Sequence, residues 1–342
     1  MIKHENLPEQ VVQKIKQAQK GAIYNEVLFE DSSAPMHKNE FLFFVKPEIT
    51  LPSETIQLDA IFEMIFKKIA AFNFSIHRIR ILSAEYIKEH DLIDQHYQVI
   101  ANVSKQGVAA LTMRAKNKLK ELYQVEVDDV LVLGGIQFMN RYPFFNDLSL
   151  DCMWQNSENF KIASGAYAEK LKVDTETVYL LNGFHPRQLR HFTNPGRSLV
   201  VFRISSDLTW KEARDHFAGA TIPSNAFSDS IRHTLLEGKE AFGIPIVSQS
   251  YNGIHLSAGP VEGLIELNRF DSDLTNAQTD ESYHQFTFGQ KLIDRFGKIP
   301  QAILQNLKME VDGRKVSVFD LTEDMDSDDA LELLSKYCMC NK

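Results

Sequence analysis

Four residues whose types suit group transfer lie close together: Asn252, His255 and Ser257 in the stretch Asn252-Gly253-Ile254-His255-Leu256-Ser257, and Glu266 eleven positions after the histidine. A neutral imidazole is a competent nucleophile near pH 7 and can hold a phosphoryl group between two half-reactions. It needs an orienting partner on its other nitrogen. A transferring phosphoryl group is highly charged, so its catalysis is mostly positioning and electrostatic stabilisation by nearby donors. A histidine between an Asn and a Ser, leading into an apolar-striped helix, reads as a phosphate-accepting site. Taken alone, a histidine near a strand end more often has a structural role. The same holds for Lys46 at a strand end, Arg232 in a helix, Tyr97 at a helix end and Glu266 on a helix surface.

The elements that must position these residues follow from hydrophobic periodicity. Residues 40–46 are a short continuous apolar run, as in a central strand covered on both faces, and Pro47 cannot continue the ladder. Ile56, Ala60, Ile61, Met64, Ile65 and Ile69 recur at helical spacing over 55–72. Residues 74–82 are predicted as a second strand, and Ser83 is placed to cap a helix over 84–97. A strand over 196–202, a short helix over 209–217, a loop through Pro223, a fourth strand ending at His255 and a helix over 261–270 complete the pattern. Two βαβ halves around one sheet, with helices on one side, predict an α+β fold. Its expected form is a ferredoxin-like α/β sandwich with a four-stranded antiparallel sheet, an inserted subdomain and a C-terminal extension.

Residues 103–182 break this rhythm. They hold a helix over 107–123, the run Val130-Leu131-Val132-Leu133-Gly134-Gly135, and a mixed segment with Phe144, Phe145 and Trp154. The two glycines are not a phosphate-binding loop, because the later glycine, lysine and Ser/Thr are missing. Towards the ends, residues 9–20 form a weakly amphipathic helix and 271–282 a polar linker. Residues 288–307 are helical with an interruption near Pro300, and Asp312-Gly313 turns a hairpin over 308–319. The acidic run Glu323, Asp324, Asp326, Asp328 and Asp329 invites a calcium reading. It lacks the glycine of an EF-hand loop, and Ser335 stands where the closing glutamate belongs, so a solvated helix N-terminus is the expectation. The domain boundaries expected are an N-terminal extension over 1–39, a domain over 40–270 interrupted by 103–182, and a C-terminal extension over 271–342.

Bulk composition narrows the function classes. The chain has 342 residues, 44% hydrophobic and 24% charged, the profile of a soluble globular protein. A formal net charge of −9 argues against general nucleic-acid binding, whereas a small polyphosphate needs only a few local cations. Three cysteines, Cys152, Cys338 and Cys340, give an odd count that fits a reducing compartment. The first residues lack a signal-peptide apolar region, and no run reaches bilayer length, so a cytoplasmic protein without a membrane partner is expected.

With these elements in place, a family resemblance becomes clear. Asn252-Gly253-Ile254-His255-Leu256-Ser257, Glu266 and the loop from Arg214 to Pro223 resemble the active-site motifs of nucleoside diphosphate kinases. Arg232 falls eleven residues after Thr221, as the family pattern requires, and Phe44-Val45-Lys46-Pro47 is similar to the family's lysine-proline motif. The resemblance covers roughly residues 40–102 and 183–270; each motif alone is weak, and their joint order and spacing are much more specific. It implies transfer of the terminal phosphate of a nucleoside triphosphate to a nucleoside diphosphate through phospho-His255. Glu266 would orient His255, and Ser257 would assist near the phosphohistidine. Lys46, Arg214, Thr221 and Arg232 would donate to phosphate oxygens, Asn252 would bind the sugar hydroxyl, and Tyr97 would line the phosphate end. Mg²⁺ would arrive with the nucleotide, held mainly by its phosphates. The partners implied are nucleoside di- and triphosphates, and the family's oligomers make self-association an open expectation.

Departures from the pattern define the alternative. Arg214 lies seven residues before Thr221, one further than usual, and Leu256 and Ala258 replace the family's glycine and aspartate around the histidine. Ile49 stands where a glycine normally follows the lysine-proline stretch. About ten additional residues separate Arg232 from His255. The position of the base-stacking phenylalanine falls on His185, with Phe184 adjacent, and Arg141-Tyr142-Pro143-Phe144-Phe145 imitates that motif inside the interruption. The alternative expectation is a nucleotide-binding regulatory module with little or no kinase activity.

Overall fold

The computed structural model describes residues 6–272 and 279–338; Cys340 and the 273–278 part of the expected linker lie outside them. The chain divides into two compact units, Met1–Tyr86 with Pro195–Lys342, and Ile87–Asn194. In chain order, the first unit opens with β1 (Asn25–Glu30), β2 (Asn39–Val45) and β3 (Ser75–Ser83). The second unit contributes β4 (Leu131–Gly134), β5 (Asn159–Ala163), β6 (Ala166–Val173) and β7 (Glu176–Leu181). The first unit resumes with β8 (Ser198–Ser206), β9 (Ile254–Leu256) and a hairpin of β10 (Lys308–Val311) and β11 (Arg314–Ser317).

The structure is mixed α+β, and the main sheet of the first unit is wholly antiparallel, in the order β1-β3-β8-β2-β9. It carries five strands where four were expected. The additional edge strand β1 has no fully buried residue, so no apolar run marks it in the sequence. By contrast, all seven residues of β2 are buried. Successive strand residues point to opposite faces. Phe41, Phe43 and Val45 join Phe202 and Trp210 in one apolar cluster, together with Ile61, Phe62 and Ile65 of the helix Leu58–Ala71. Phe44 meets Phe270, ring centroids 5.5 Å apart, at the end of the helix Pro260–Phe270, which packs on β2. Helices therefore cover both faces, not one. A strand with no polar face demands it.

The second unit is wider than the 103–182 interruption expected. The helix expected over 84–97 starts under Ser83, whose Oγ accepts from Tyr86 N at 3.1 Å, but it breaks at Asp91, where φ is 49°. The helices Leu92–His96 and Gln98–Gln106 follow the break. The sheet order is β4-β7-β6-β5, with β4 and β7 parallel. Its own apolar clusters form around Leu119, Ala168 and Leu181, and around Phe138, Trp154 and Leu180. Gly134 serves close packing: a Cβ there would stand 2.2 Å from the Ser104 carbonyl oxygen.

Beyond Phe270 the chain stays anchored at first. Arg78 Nη1 donates to Asp271 O and Arg80 Nη1 to Ser272 O, each at 3.0 Å. The expected helix over 288–307 is two pieces, Thr287–Phe296 and Gln301–Leu304. Asp312 and Gly313 both take positive φ, as a tight hairpin turn requires. The helix Ser327–Cys338 closes the described chain with Asp328 and Asp329 in its first turn. Among the described residues no helix is long and apolar enough to cross a membrane.

Candidate active site

His255 is the middle residue of β9 and pairs with Phe44 of β2. Its ring stacks on that of Phe44, centroids 4.6 Å apart and planes 23° from parallel. Glu266 lies on the buried side of the helix Pro260–Phe270 and is 1% exposed. His255 Nε2 stands 2.9 and 3.0 Å from the two Glu266 oxygens. A nitrogen set between both oxygens suits an Nε2–H donating to a carboxylate, which places the ring's lone pair on Nδ1. Burial holds the imidazole well below its ordinary pKa, and Lys46, Arg232 and Arg214 push it further in the same direction. Burial also lifts Glu266 to about 8, against the opposing pull of Arg269.

Lys46 directly follows β2, and its backbone N donates to Gly253 O at 2.8 Å. Its Nζ donates to Asn252 Oδ1 at 2.7 Å, in a buried pair 206 residues apart in sequence. Burial lowers Lys46 to about 8, with Glu48 opposing and Arg232 reinforcing the shift. The Asn252 amide nitrogen donates to the carbonyl oxygens of Thr221 and Gln249, both at 3.1 Å, so this 1% exposed side chain is committed to the protein. Glu48 accepts from Gly253 N at 2.8 Å. At Gly253 φ is +80°, and a Cβ would stand 2.4 Å from Leu235 Cδ1. Arg232 spans two elements, donating from Nη1 to Gly219 O at 2.5 Å and from Nη2 to Ile254 O at 3.1 Å.

Arg214 sits on a π-helical turn, Ala213–Ala218, closed by Gly219 N donating to Arg214 O at 2.8 Å. A π turn takes up one residue more than an α turn. It lies where the sequence has its additional residue between Arg214 and Thr221. A cleft of about 300 Å³ opens here, lined by Arg214, Asp215, Ala218, Gly219, Ala220, Thr221, Arg232, His255, Leu256, Ala258, Glu323 and Asp324.

In the first unit Arg214, Thr221, Arg232 and His255 line the cleft, with Glu266 bonded to His255, and Asn252 linking Lys46 to the Thr221 carbonyl. Ser257 is fully buried: its N and Oγ donate to Leu42 O, at 3.1 and 3.4 Å, and its carbonyl accepts from Trp210 Nε1 at 2.9 Å. Those contacts hold β9 in place rather than present a hydroxyl. Tyr97, Phe184 and His185 belong to the second unit. Tyr97 neighbours His96 and Phe192, and Phe184 packs between Trp154 and Tyr167. His185 is 1% exposed with Nε2 3.3 Å from Asp94 Oδ1, and so offers no open face for stacking a base.

Several residues at the cleft escaped the sequence reading. Glu323 and Asp324 are not on a solvated helix start: both accept from Arg214 Nη1, at 2.9 and 2.6 Å. Asp326 is buried and accepts from Trp210 N at 2.8 Å. The acidic run was the visible signal, and its partners lie more than a hundred residues away. Glu262 joins Glu266 near the cleft and is raised to about 8 by burial first and by Glu266 next. A second histidine relay lies where β2 and β3 begin: His37 Nδ1 is 3.0 Å from Asp207 Oδ2, and Nε2 is 3.0 Å from Ser75 Oγ. Asp207 is 74% exposed and also accepts from Lys38 N, so the relay works as a surface latch for the loop before β2.

Mg²⁺ takes hard oxygen donors, and the cleft lining offers Asp215, Glu323 and Asp324. Asp215 is engaged by Lys211 at 2.7 Å, and the other two by Arg214. Each of the three is therefore already paired with a cationic side chain. Comparison with protein-family models, with curated proteins and with solved structures gives no match to this chain.

Proposed function

We propose that the chain transfers the terminal phosphate of a nucleoside triphosphate to a nucleoside diphosphate through His255, as its resemblance to nucleoside diphosphate kinases implies. The observation that carries this reading is the His255–Glu266 pair, set against a cleft that Arg214 and Arg232 line, with Lys46 close enough to bias the imidazole. Glu266 holds Nε2, and Nδ1 attacks the γ-phosphorus as the bond to the β–γ bridging oxygen breaks. The diphosphate leaves, and the imidazole keeps the phosphoryl group. A terminal oxygen of the second diphosphate then attacks that phosphorus, and the P–N bond breaks. Arg214 and Arg232 donate to phosphate oxygens, while bound Mg²⁺ supplies neutralisation of phosphate charge. In this reading Asn252 sets Lys46 in place rather than touching the sugar.

The strand order β3-β8-β2-β9, with helical segments between β2 and β3 and between β8 and β9, supports a ferredoxin-like core to which β1 adds an edge. Fold-level likeness says nothing of activity, so the test is chemical. With Mg²⁺, the full chain is expected to move the γ-phosphate of ATP onto GDP, and His255→Ala to reduce the rate at least about a thousandfold. The alternative, a nucleotide-binding regulatory module, is favoured by the engagement of Arg214 with Glu323 and Asp324. It requires saturable nucleotide binding without exchange, and rapid ATP-to-GDP exchange would exclude it.

A further inference from the structure

The cleft at His255 is shared by a segment that phosphate binding does not call for. Residues 323–326 run between the helices Val318–Thr322 and Ser327–Cys338. This segment is fastened at two points. Asp326 accepts from Trp210 N at 2.8 Å and Asn39 Nδ2 at 2.9 Å, and pairs with Lys38. Asp324 N donates to Ala258 O at 3.0 Å, three residues beyond His255. Gly259 admits the strap, since a Cβ there would stand 2.5 Å from Thr322 O. Beside these fastenings, Glu323 and Asp324 offer both carboxylates to the same Arg214 nitrogen.

A guanidinium has five N–H donors, and those on Arg214 Nη1 already go to the two carboxylates, so a phosphate reaches that nitrogen only by displacing them. The charge of the lining gives the same answer: two guanidinium groups, Arg214 and Arg232, face three carboxylates, Asp215, Glu323 and Asp324. With the strap in place the carboxylates of the lining outnumber its guanidinium groups, and with it withdrawn the two guanidinium groups face Asp215 alone. The two tip carboxylates are 48% and 41% exposed, so water screens their pairing and a polyphosphate can displace it. The buried Asp326 anchor stays behind. We propose that Glu323 and Asp324 are a built-in competitor for phosphate: an acidic strap that occupies Arg214 Nη1 and must yield that nitrogen before a nucleoside di- or triphosphate can use it.

This inference rests on the phosphate reading of the cleft, and the test separates the two. Glu323→Gln with Asp324→Asn keeps side-chain size, and asparagine accepts the left-handed backbone that position 324 adopts (φ 59°). Binding of Mg-ATP to the full chain is measured by calorimetry for wild type, the double variant, Arg214→Ala and all three changes together. The strap predicts about tenfold tighter binding in the double variant, and a clearly smaller gain, from relief of charge alone, where Arg214 is already alanine. Unchanged affinity overturns the strap while the phosphate site stands. Weaker affinity also overturns it, because the carboxylates then help to hold the ligand's cation. An equal gain without Arg214 overturns the assignment to that guanidinium. Binding by none of the four proteins rejects the phosphate reading itself, and the strap with it.

Discussion

Glu266 and Lys46 titrate in opposite functional senses over one pH range, and this gives the residue scale its sharpest consequence. Burial places both near 8. Below that value Glu266 holds a proton and donates to Nε2, which leaves the ring hydrogen on Nδ1 and blocks attack. Above it the carboxylate accepts from Nε2–H and frees the Nδ1 lone pair, but Lys46 then loses the charge it brings to the site. Under the proposed function, transfer should therefore rise towards about pH 8 and fall beyond it. Glu266→Gln should flatten the acid limb and cost roughly a hundredfold in kcat. A flat wild-type profile between about pH 6 and 10 contradicts these assignments. Lys46→Met should destabilise the chain by about 1–3 kcal/mol in denaturant unfolding, because it strips a buried donor from Asn252. At this scale the sequence was readable where spacing is local, as for His255, Glu266, Thr221 and Arg232. It was silent on the commitment of Asn252 to Lys46, because that contact closes only when β2 and β9 pair.

At the scale of elements, the site depends on a strand of three residues held from both ends. Gly253 turns the chain into β9 through a left-handed backbone, and Trp210 ties the exit by donating to Ser257 O. Gly253→Ala should cost about 1–3 kcal/mol in thermal or denaturant unfolding, since the new Cβ meets Leu235 and the backbone is strained. An unchanged stability would show that the turn relaxes freely. Trp210→Phe keeps an aromatic ring beside Phe41 but removes the donor to Ser257, and should cost a similar amount, about 1–3 kcal/mol. The amphipathic helix Leu58–Ala71 was legible from its periodicity, and the fully buried β2 from its apolar run over 41–45. The edge strand β1 and the π turn were not. The first buries no residue fully, and the second is set by hydrogen bonding that composition does not encode.

At the scale of the whole molecule, the interruption seen in the sequence is a unit with its own sheet and its own apolar clusters. Residues 87–194 produced alone should therefore unfold cooperatively on heating, and a featureless melt would contradict that independence. The C-terminal extension is likewise more than an appendage: Asp326 is buried against Trp210 and Asn39, and its neighbours reach Arg214. Sequence alone placed these acids at a helix start because cationic partners so distant in the chain leave no local pattern. The proposed function makes His255 the residue that would carry the phosphoryl group. The most direct test is to incubate the full chain with γ-labelled ATP and Mg²⁺, quench, and follow label on the protein. An acid-labile, alkali-stable label is expected, absent from His255→Ala and released onto GDP when GDP is added. No such label on a wild-type chain that binds ATP, or an equal label on His255→Ala, would contradict it.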